Sequence, residues 1–118
     1  MSNSTFVNYT NHRLKNWAPE QLSEAKELGD IIDIEFPSVL PEATAQEIRA
    51  LAKSEVEKIM ACNPGIVLCQ GEFNLCYEVI GMLKARGIKV VAATSRRQVA
   101  ERDGKRVSAF EFVQFREY

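Results

Sequence analysis

The sequence predicts an α/β domain built on a doubly wound, mainly parallel sheet. Short apolar segments that suit β-strands alternate along the chain with longer segments whose apolar residues recur at helical spacing. This alternation is typical of parallel sheets, in which a helix returns the chain to the start of the next strand. The 118 residues are expected to form one domain, 1–118, which buries a core without help from a disulfide or a metal.

The first half of the chain predicts two strands and two helices. Residues 5–9 are aromatic and β-branched, as in a short strand. A helix is predicted from Pro19, which suits a first helical turn, to Gly29, which suits a helix end. Residues 31–36 predict the second strand. The segment from Thr44 to Glu47 is a capping box and predicts the start of the second helix.

The second half continues the same alternation. Residues 65–69 are continuously apolar, as in a central strand that is covered on both faces. A third helix is predicted from about Phe73 to Gly87, where glycine suits the helix end. Residues 88–93 then predict a fourth strand.

The pattern changes after Arg97. Asp103 and Gly104 suit the positive φ angles of a tight type I′ turn. Residues 98–102 and 107–115 therefore predict a C-terminal β-hairpin whose last strand adds antiparallel to the sheet edge. The expected sheet has four or five strands in a Rossmann-like arrangement.

Composition and charge favour a cytoplasmic protein that binds neither membranes nor long nucleic acid. The formal net charge of -1 argues against a broad phosphate-binding surface, which needs a basic excess. No apolar run approaches the ~20 residues that a membrane span requires. Cys62, Cys69 and Cys76 contain no C-x-x-C pair, so neither a disulfide framework nor a zinc site is indicated. We interpret them as small buried hydrophobic residues, with a catalytic thiol at Cys69 as the weaker alternative, and expect no metal or other cofactor.

Three polar segments follow directly on three predicted strands. They are Asn8-Tyr9-Thr10-Asn11-His12, Gln70-Gly71-Glu72-Phe73-Asn74 and Thr94-Ser95-Arg96-Arg97. Because the carboxyl ends of parallel strands meet at one edge of the sheet, we expect these segments to form one cleft. Their amides, hydroxyls and guanidinium groups, with backbone N–H groups at a helix start, suit a phosphate-bearing ligand.

Each part of this cleft also has an ordinary structural interpretation. A lone glycine such as Gly71 is more often turn chemistry than a ligand contact, and Glu72 complements the dipole of the following helix. His12, the only histidine, suits an exposed loop about as well as a proton donor. Arg96 and Arg97 match phosphate oxygens but also suit a solvated surface pair. The coincidence of three such segments at matched positions favours a ligand site.

Several segments together resemble a known family. The resemblance rests on Phe6-Val7-Asn8-Tyr9-Thr10-Asn11-His12, Pro19-Glu20-Gln21-Leu22, Gly71-Glu72-Phe73 and Thr94-Ser95. With these segments the chain resembles small stand-alone proteins related to CRISPR-associated Rossmann-fold (CARF) domains. The resemblance implies a homodimer that binds cyclic oligoadenylate, the second messenger of type III CRISPR antiviral defence, in the strand-end cleft.

The resemblance leaves two activities open, because some such proteins cut the messenger as ring nucleases and others only sequester it. For metal-independent cleavage by the ribose 2′-hydroxyl, the expected catalytic residues are His12 as proton donor and Arg96 or Arg97 as charge stabiliser. The expected ligand-binding residues are Asn8, Thr10, Asn11, Gln70, Gly71, Glu72, Phe73, Asn74, Thr94 and Ser95.

Two alternatives belong to other classes of function. One is a nucleotide- or nucleoside-processing enzyme in which Glu72 acts on a glycosidic bond. The other is a non-catalytic interaction domain whose final strand pairs with a partner by edge addition. Fold class alone does not choose among these functions.

Overall fold

Residues 4–118, the part of the chain that this computed structural model describes, form three helices and a five-stranded sheet. The strands are β1 (Thr5–Thr10), β2 (Asp30–Glu35), β3 (Ile66–Cys69), β4 (Lys89–Arg102) and β5 (Lys105–Glu117). Their spatial order is β2-β1-β3-β4-β5. The first four strands run parallel and β5 runs antiparallel to β4, so the predicted α/β class and mainly parallel sheet are confirmed.

The three helices connect the parallel strands. They are α1 (Pro19–Leu28), α2 (Ala45–Met60) and α3 (Phe73–Ala85). The predicted capping box at the start of α2 is confirmed, since the Thr44 hydroxyl accepts from the Glu47 N–H and the Glu47 carboxylate accepts from the Thr44 N–H, both at 3.1 Å. None of the helices in residues 4–118 is both long and apolar enough to cross a membrane.

The sheet separates two apolar clusters. Because side chains alternate along a strand, Val7 and Tyr9 point to the face covered by α2 and α3, whereas Phe6 points to the face covered by α1. Leu75 of α3 and Ala25 of α1 are fully buried against these two faces. Helices therefore cover both sides of the parallel strands.

The α2 helix carries a buried carboxylate, that of Glu55. The Tyr9 hydroxyl donates to Glu55 Oε1 at 2.7 Å, and Lys58 Nζ lies 2.7 Å from Glu55 Oε2. These partners compensate the cost of burying the charge. Burial, together with the hydrogen bond to Glu55, raises the pKa of Tyr9 above its ordinary value.

The structure differs from the sequence prediction beyond Ala93. The sequence predicts a polar tail at residues 94–97, whereas β4 continues to Arg102 and pairs with β5 from Val91 onward, with a register shift between Thr94 and Ser95. Where β4 has passed the end of β3, antiparallel pairing with β5 supplies its backbone hydrogen-bond partners. The alternation of residues in the sequence does not show where a strand leaves its sheet. We call the two-stranded part, residues 95–102 and 105–112, the β-arm.

The β-arm extends the molecule beyond its core. The Cα radius of gyration is 16.0 Å, against about 13.5 Å for a compact chain of this length. Asp103 and Gly104 turn the chain at the tip with φ angles of 52° and 74°. Since β4 runs parallel to β1 and β3, the arm projects from the edge at which their carboxyl ends lie.

Candidate functional site

A cavity of about 200 Å³ lies at the carboxyl ends of β1 and β3, beside Ala93 in the middle of β4. The chain passes from β1 to β2 on one side and later to β3 on the other, so the strand order changes direction at this point. In open α/β sheets this is where ligands bind. The principal lining residues are Thr10, His12, Trp17, Gln21, Gln70 and Ala93.

A buried amide organises the β1 side of the cavity. Asn8 Nδ2 donates to Asp33 Oδ1 and to the His12 carbonyl, both at 2.8 Å. The Thr10 hydroxyl donates to Asn8 Oδ1 at 2.8 Å and accepts from the His12 N–H at 3.0 Å. Asn8 and Thr10, predicted as ligand contacts, therefore position the loop that follows β1.

Asp33 fixes the same loop from β2, although it is not among the predicted site residues. Its carboxylate accepts from the Leu14 N–H at 3.3 Å as well as from the Asn8 amide. The signal in the sequence is an acidic residue inside an otherwise apolar strand segment, Ile31 to Ile34. The loop is thus held at both ends, while the side chains of Asn11 and His12 are exposed.

Trp17 closes one wall of the cavity. Its Nε1 donates to the His12 carbonyl at 3.0 Å. Its ring meets Phe6 edge-on at 6.2 Å and lies 6.3 Å from the ring of Phe115. The indole is therefore held between the core and the loop that carries His12.

Asn8→Ala should lower the free energy of unfolding by about 1–3 kcal/mol, because it removes a buried amide and leaves its partners unpaired. Urea unfolding of the two proteins measures the difference. Asn11→Ala is the matched control at an exposed site and should stay within about 0.5 kcal/mol of the wild type. Equal effects of the two substitutions would contradict the positioning role of Asn8.

Gln70 ties β3 to β4 beside the cavity. Its side-chain Oε1 accepts from the Ala93 N–H at 3.0 Å, and its Nε2 donates to the Ala93 carbonyl at 3.4 Å. Backbone pairing between β3 and β4 ends at Leu68 and Val91. Beyond that point the side-chain amide of Gln70 supplies the hydrogen bonds between the two strands. Gln70 lines the cavity, as predicted for a site residue, but both ends of its amide already have backbone partners.

The start of α3 is not an open anion site. The Glu72 carboxylate accepts from the Asn74 N–H at 3.0 Å and the Leu75 N–H at 2.9 Å. The prediction that these N–H groups are free for phosphate is therefore wrong, because a carboxylate already occupies them and repels a second anion. A Cβ on Gly71 would lie 2.6 Å from the Phe36 ring, so the glycine allows this ring to pack closely.

The remaining predicted residues lie around the cavity without lining it. Phe73 is 89% exposed and Asn74 is also exposed on the outer surface of α3. The Thr94 hydroxyl donates to the Gln114 carbonyl at 3.1 Å, and Ser95 pairs with Phe112 in the β-arm.

Arg96 and Arg97 lie at the base of the β-arm. The β-bulge beside Thr94 and Ser95 has its extra residue in β5, so side chains keep alternating along β4. Arg97 therefore shares the face of the cavity residue Ala93, and Arg96 lies on the opposite face. The four-residue separation places Arg97 about 13 Å along the strand from Ala93. Of the two arginines, only Arg97 is thus placed on the cavity side of the sheet.

The cysteines favour the structural interpretation. Cys69 and Cys76 are buried with their Sγ atoms 3.9 Å apart, whereas Cys62 is only half-buried. The hydrogen bond to Cys76, together with burial, raises the pKa of Cys69, so its thiol stays protonated. Within residues 4–118, no three His, Cys, Asp or Glu side chains are grouped so that they could hold a metal ion.

A larger cavity of about 800 Å³ lies along α3, lined in part by Phe73, Tyr77 and Tyr118. The Tyr118 hydroxyl donates to the Cys69 carbonyl at 2.7 Å. Burial, followed by the influence of the Cys69 and Cys76 thiols, raises the pKa of Tyr118 to about 12. This wall of the cavity therefore depends on a neutral phenol.

The raised pKa of Tyr118 predicts a loss of stability in strong alkali. Folding favours the neutral phenol, so its contribution is complete below the unfolded pKa of about 10 and is lost as the pH rises through about 12. The absorbance of phenolate is titrated against pH in the wild type and in Tyr118→Phe. The difference between the two curves should have its midpoint near pH 12 while the protein is folded. A midpoint at pH 10 would contradict the burial of this hydroxyl.

Comparison with known proteins places the chain in a family. No curated protein and no solved structure matches it at a significant level. The uncharacterized protein MJ1673 family matches residues 4–116, nearly the whole chain. The chain therefore belongs to the uncharacterized protein MJ1673 family.

Proposed function

We propose that this protein binds cyclic oligoadenylate in the strand-end cleft of a cytoplasmic homodimer. The observation that carries the proposal is the cavity at the carboxyl ends of β1 and β3, bordered by a fixed loop and an exposed histidine. A Rossmann-like, doubly wound sheet is part of the proposal, since helices cover both faces and the strand order changes direction at the cavity. The free thiols are compatible with a reducing compartment.

The size of the cavity limits how the ligand sits. Its volume of about 200 Å³ is below the roughly 300–1,000 Å³ of pockets that enclose a whole drug-sized molecule. We expect one base to enter beside Trp17, with the sugar and phosphate across the mouth. A two-fold axis would place a second cavity opposite, so that a cyclic tetranucleotide meets the same groups twice.

Charge recognition is assigned to Arg97, because it stands on the cavity face of β4. Arg97→Ala should weaken binding of cyclic tetra-adenylate by about 1.5–3 kcal/mol, the usual value for a hydrogen bond to a charged group. Arg49→Ala, exposed on α2 and outside both the cavity and the β4–β5 ribbon, is the matched control and should bind as the wild type does. Titrations followed by the fluorescence of Trp17, the only tryptophan, measure both affinities. Unchanged binding by both variants would contradict the assignment of Arg97.

Cleavage, where it occurs, would use the ligand's own nucleophile. The ribose 2′-hydroxyl attacks the adjacent phosphorus and releases its proton to solvent, and a 2′,3′-cyclic phosphate forms. The bond from phosphorus to the 5′-oxygen breaks, and the departing oxygen takes a proton from His12. The developing negative charge on the phosphate would be stabilised by Arg97.

This mechanism predicts that turnover persists in EDTA and that His12→Ala slows it by ~10²-fold or more while binding is largely kept. Chromatography and mass spectrometry of the products test both points. Tight binding without turnover would identify a protein that only sequesters the messenger. Release of free adenine that depends on Glu72 would instead establish the nucleoside-processing alternative.

A further inference from the structure

The β-arm exposes apolar side chains on both of its faces. Val99 and Phe110, which are 49% and 73% exposed, share one face, and Val107, which is 47% exposed, lies on the other. A two-stranded ribbon is marginally stable in water, and exposed apolar strands pair readily with other chains. The arm therefore has the character of a surface that another protein covers.

The charges on the arm indicate which surface it meets. Its seven charged side chains comprise five basic and two acidic residues: Arg96, Arg97, Arg102, Lys105, Arg106, Glu101 and Glu111. The segment formed by α1 and β2, residues 19–35, carries six acidic side chains and one lysine, all exposed. The arm is thus complementary in charge to the α1–β2 surface.

The sheet order separates β2 from the arm within one chain. Three strands lie between β2 and β5, which corresponds to about 19 Å at the usual strand spacing. The arm also projects away from the sheet at its carboxyl edge. Although α1 contacts β5 within the chain, Val99, Val107 and Phe110 of the arm stay exposed, so covering them requires another molecule.

We propose that the β-arm docks on the α1–β2 surface of a second copy of this chain, so that two copies exchange arms about a two-fold axis. The proposal rests on the homodimer of the proposed function and names its interface. Reciprocal exchange makes the contact self-complementary and closes the assembly at two copies. It also covers one apolar face of each arm.

Light scattering of the ligand-free full chain tests the proposal. The wild type should have twice the monomer mass of 13.3 kDa at micromolar concentration, and Phe110→Asp should shift it to the monomer mass. Phe73→Asp is the matched control, because Phe73 is 89% exposed on α3 and lies outside the arm. That variant should remain dimeric, and circular dichroism should show native secondary structure in both variants.

Charge reversal tests the partner surface. Glu24→Lys combined with Glu27→Lys on α1 should raise the dimer dissociation constant at least tenfold, and 1 M salt should weaken the wild-type dimer in the same direction. A monomeric wild type, a dimeric Phe110→Asp variant, or a dimer insensitive to the α1 charges would overturn the proposal. Because no ligand is present, a dimer that fails to bind cyclic oligoadenylate would contradict the proposed function and leave the interface intact.

Discussion

Gly29→Ala is expected to lower the free energy of unfolding by about 3 kcal/mol. A Cβ at this position would lie 2.3 Å from the carbonyl oxygen of Ser4 and 2.7 Å from its carbonyl carbon. Both are backbone atoms, and the Asp30 N–H donates to the same oxygen at 2.8 Å. Relief of the clash therefore has to displace the start of β2 from β1, which the strands resist because they share their register from Thr5 onward.

Gly81→Ala is the matched control for this prediction. Gly81 lies inside α3, and a Cβ there would have no neighbour within 4 Å. Alanine should raise stability by about 0.5–1 kcal/mol, because it restricts the unfolded chain and favours the helix. Urea unfolding gives both values. Stability of Gly29→Ala within about 0.5 kcal/mol of the wild type would show that Ser4 does not approach the glycine as described.

Phe6→Ala should destabilise the protein by about 3–5 kcal/mol, the usual range for deleting a buried phenyl ring. The Phe6 side chain is fully buried on the α1 face, and its ring lies 5.1 Å from that of Phe115 and 6.2 Å from that of Trp17. The substitution therefore leaves a cavity under the wall that carries the indole. We expect a red-shifted Trp17 emission in folded protein as water reaches the ring.

Two variants make the Phe6 prediction specific. Phe73→Ala removes the same ring from an exposed position and should change stability by less than about 0.5 kcal/mol. Phe6→Leu keeps most of the apolar volume and should cost less than Phe6→Ala. Equal unfolding free energies for Phe6→Ala and Phe73→Ala would contradict the packing of the α1 face.

Local signals in the sequence predict much of the fold. The capping box at Thr44 marks the start of α2, and the continuous apolar run around Val67 marks a strand buried on both faces. The length of β4 is missed because Thr94 to Arg97 is polar, and polarity is taken there as the end of a strand. The partner that extends β4 begins only at Lys105, so the extension depends on pairing between segments distant in sequence.

Strand order predicts which residues come together better than it predicts their bonds. His12 and Gln70 line one cavity, because strand ends meet at one sheet edge. The bonds that occupy the Asn8 and Gln70 amides join residues 25 and 23 positions apart, which no local pattern reveals. The carboxylate of Glu72 accepts hydrogen bonds from N–H groups at its own helix start, whereas the structural role expected from the sequence is a dipole effect alone.

The most direct measurement of the central claim is calorimetric titration of the wild-type protein with cyclic tetra-adenylate and cyclic hexa-adenylate. We expect one of the rings to bind with a dissociation constant of about 1 μM or tighter and a stoichiometry of one ring per two chains. Linear tetra-adenylate is the control and should bind more weakly, since its ends are not held in a closed ring. Absence of binding heat for both rings at several temperatures, in folded protein, would contradict the assignment of the strand-end cleft to cyclic oligoadenylate.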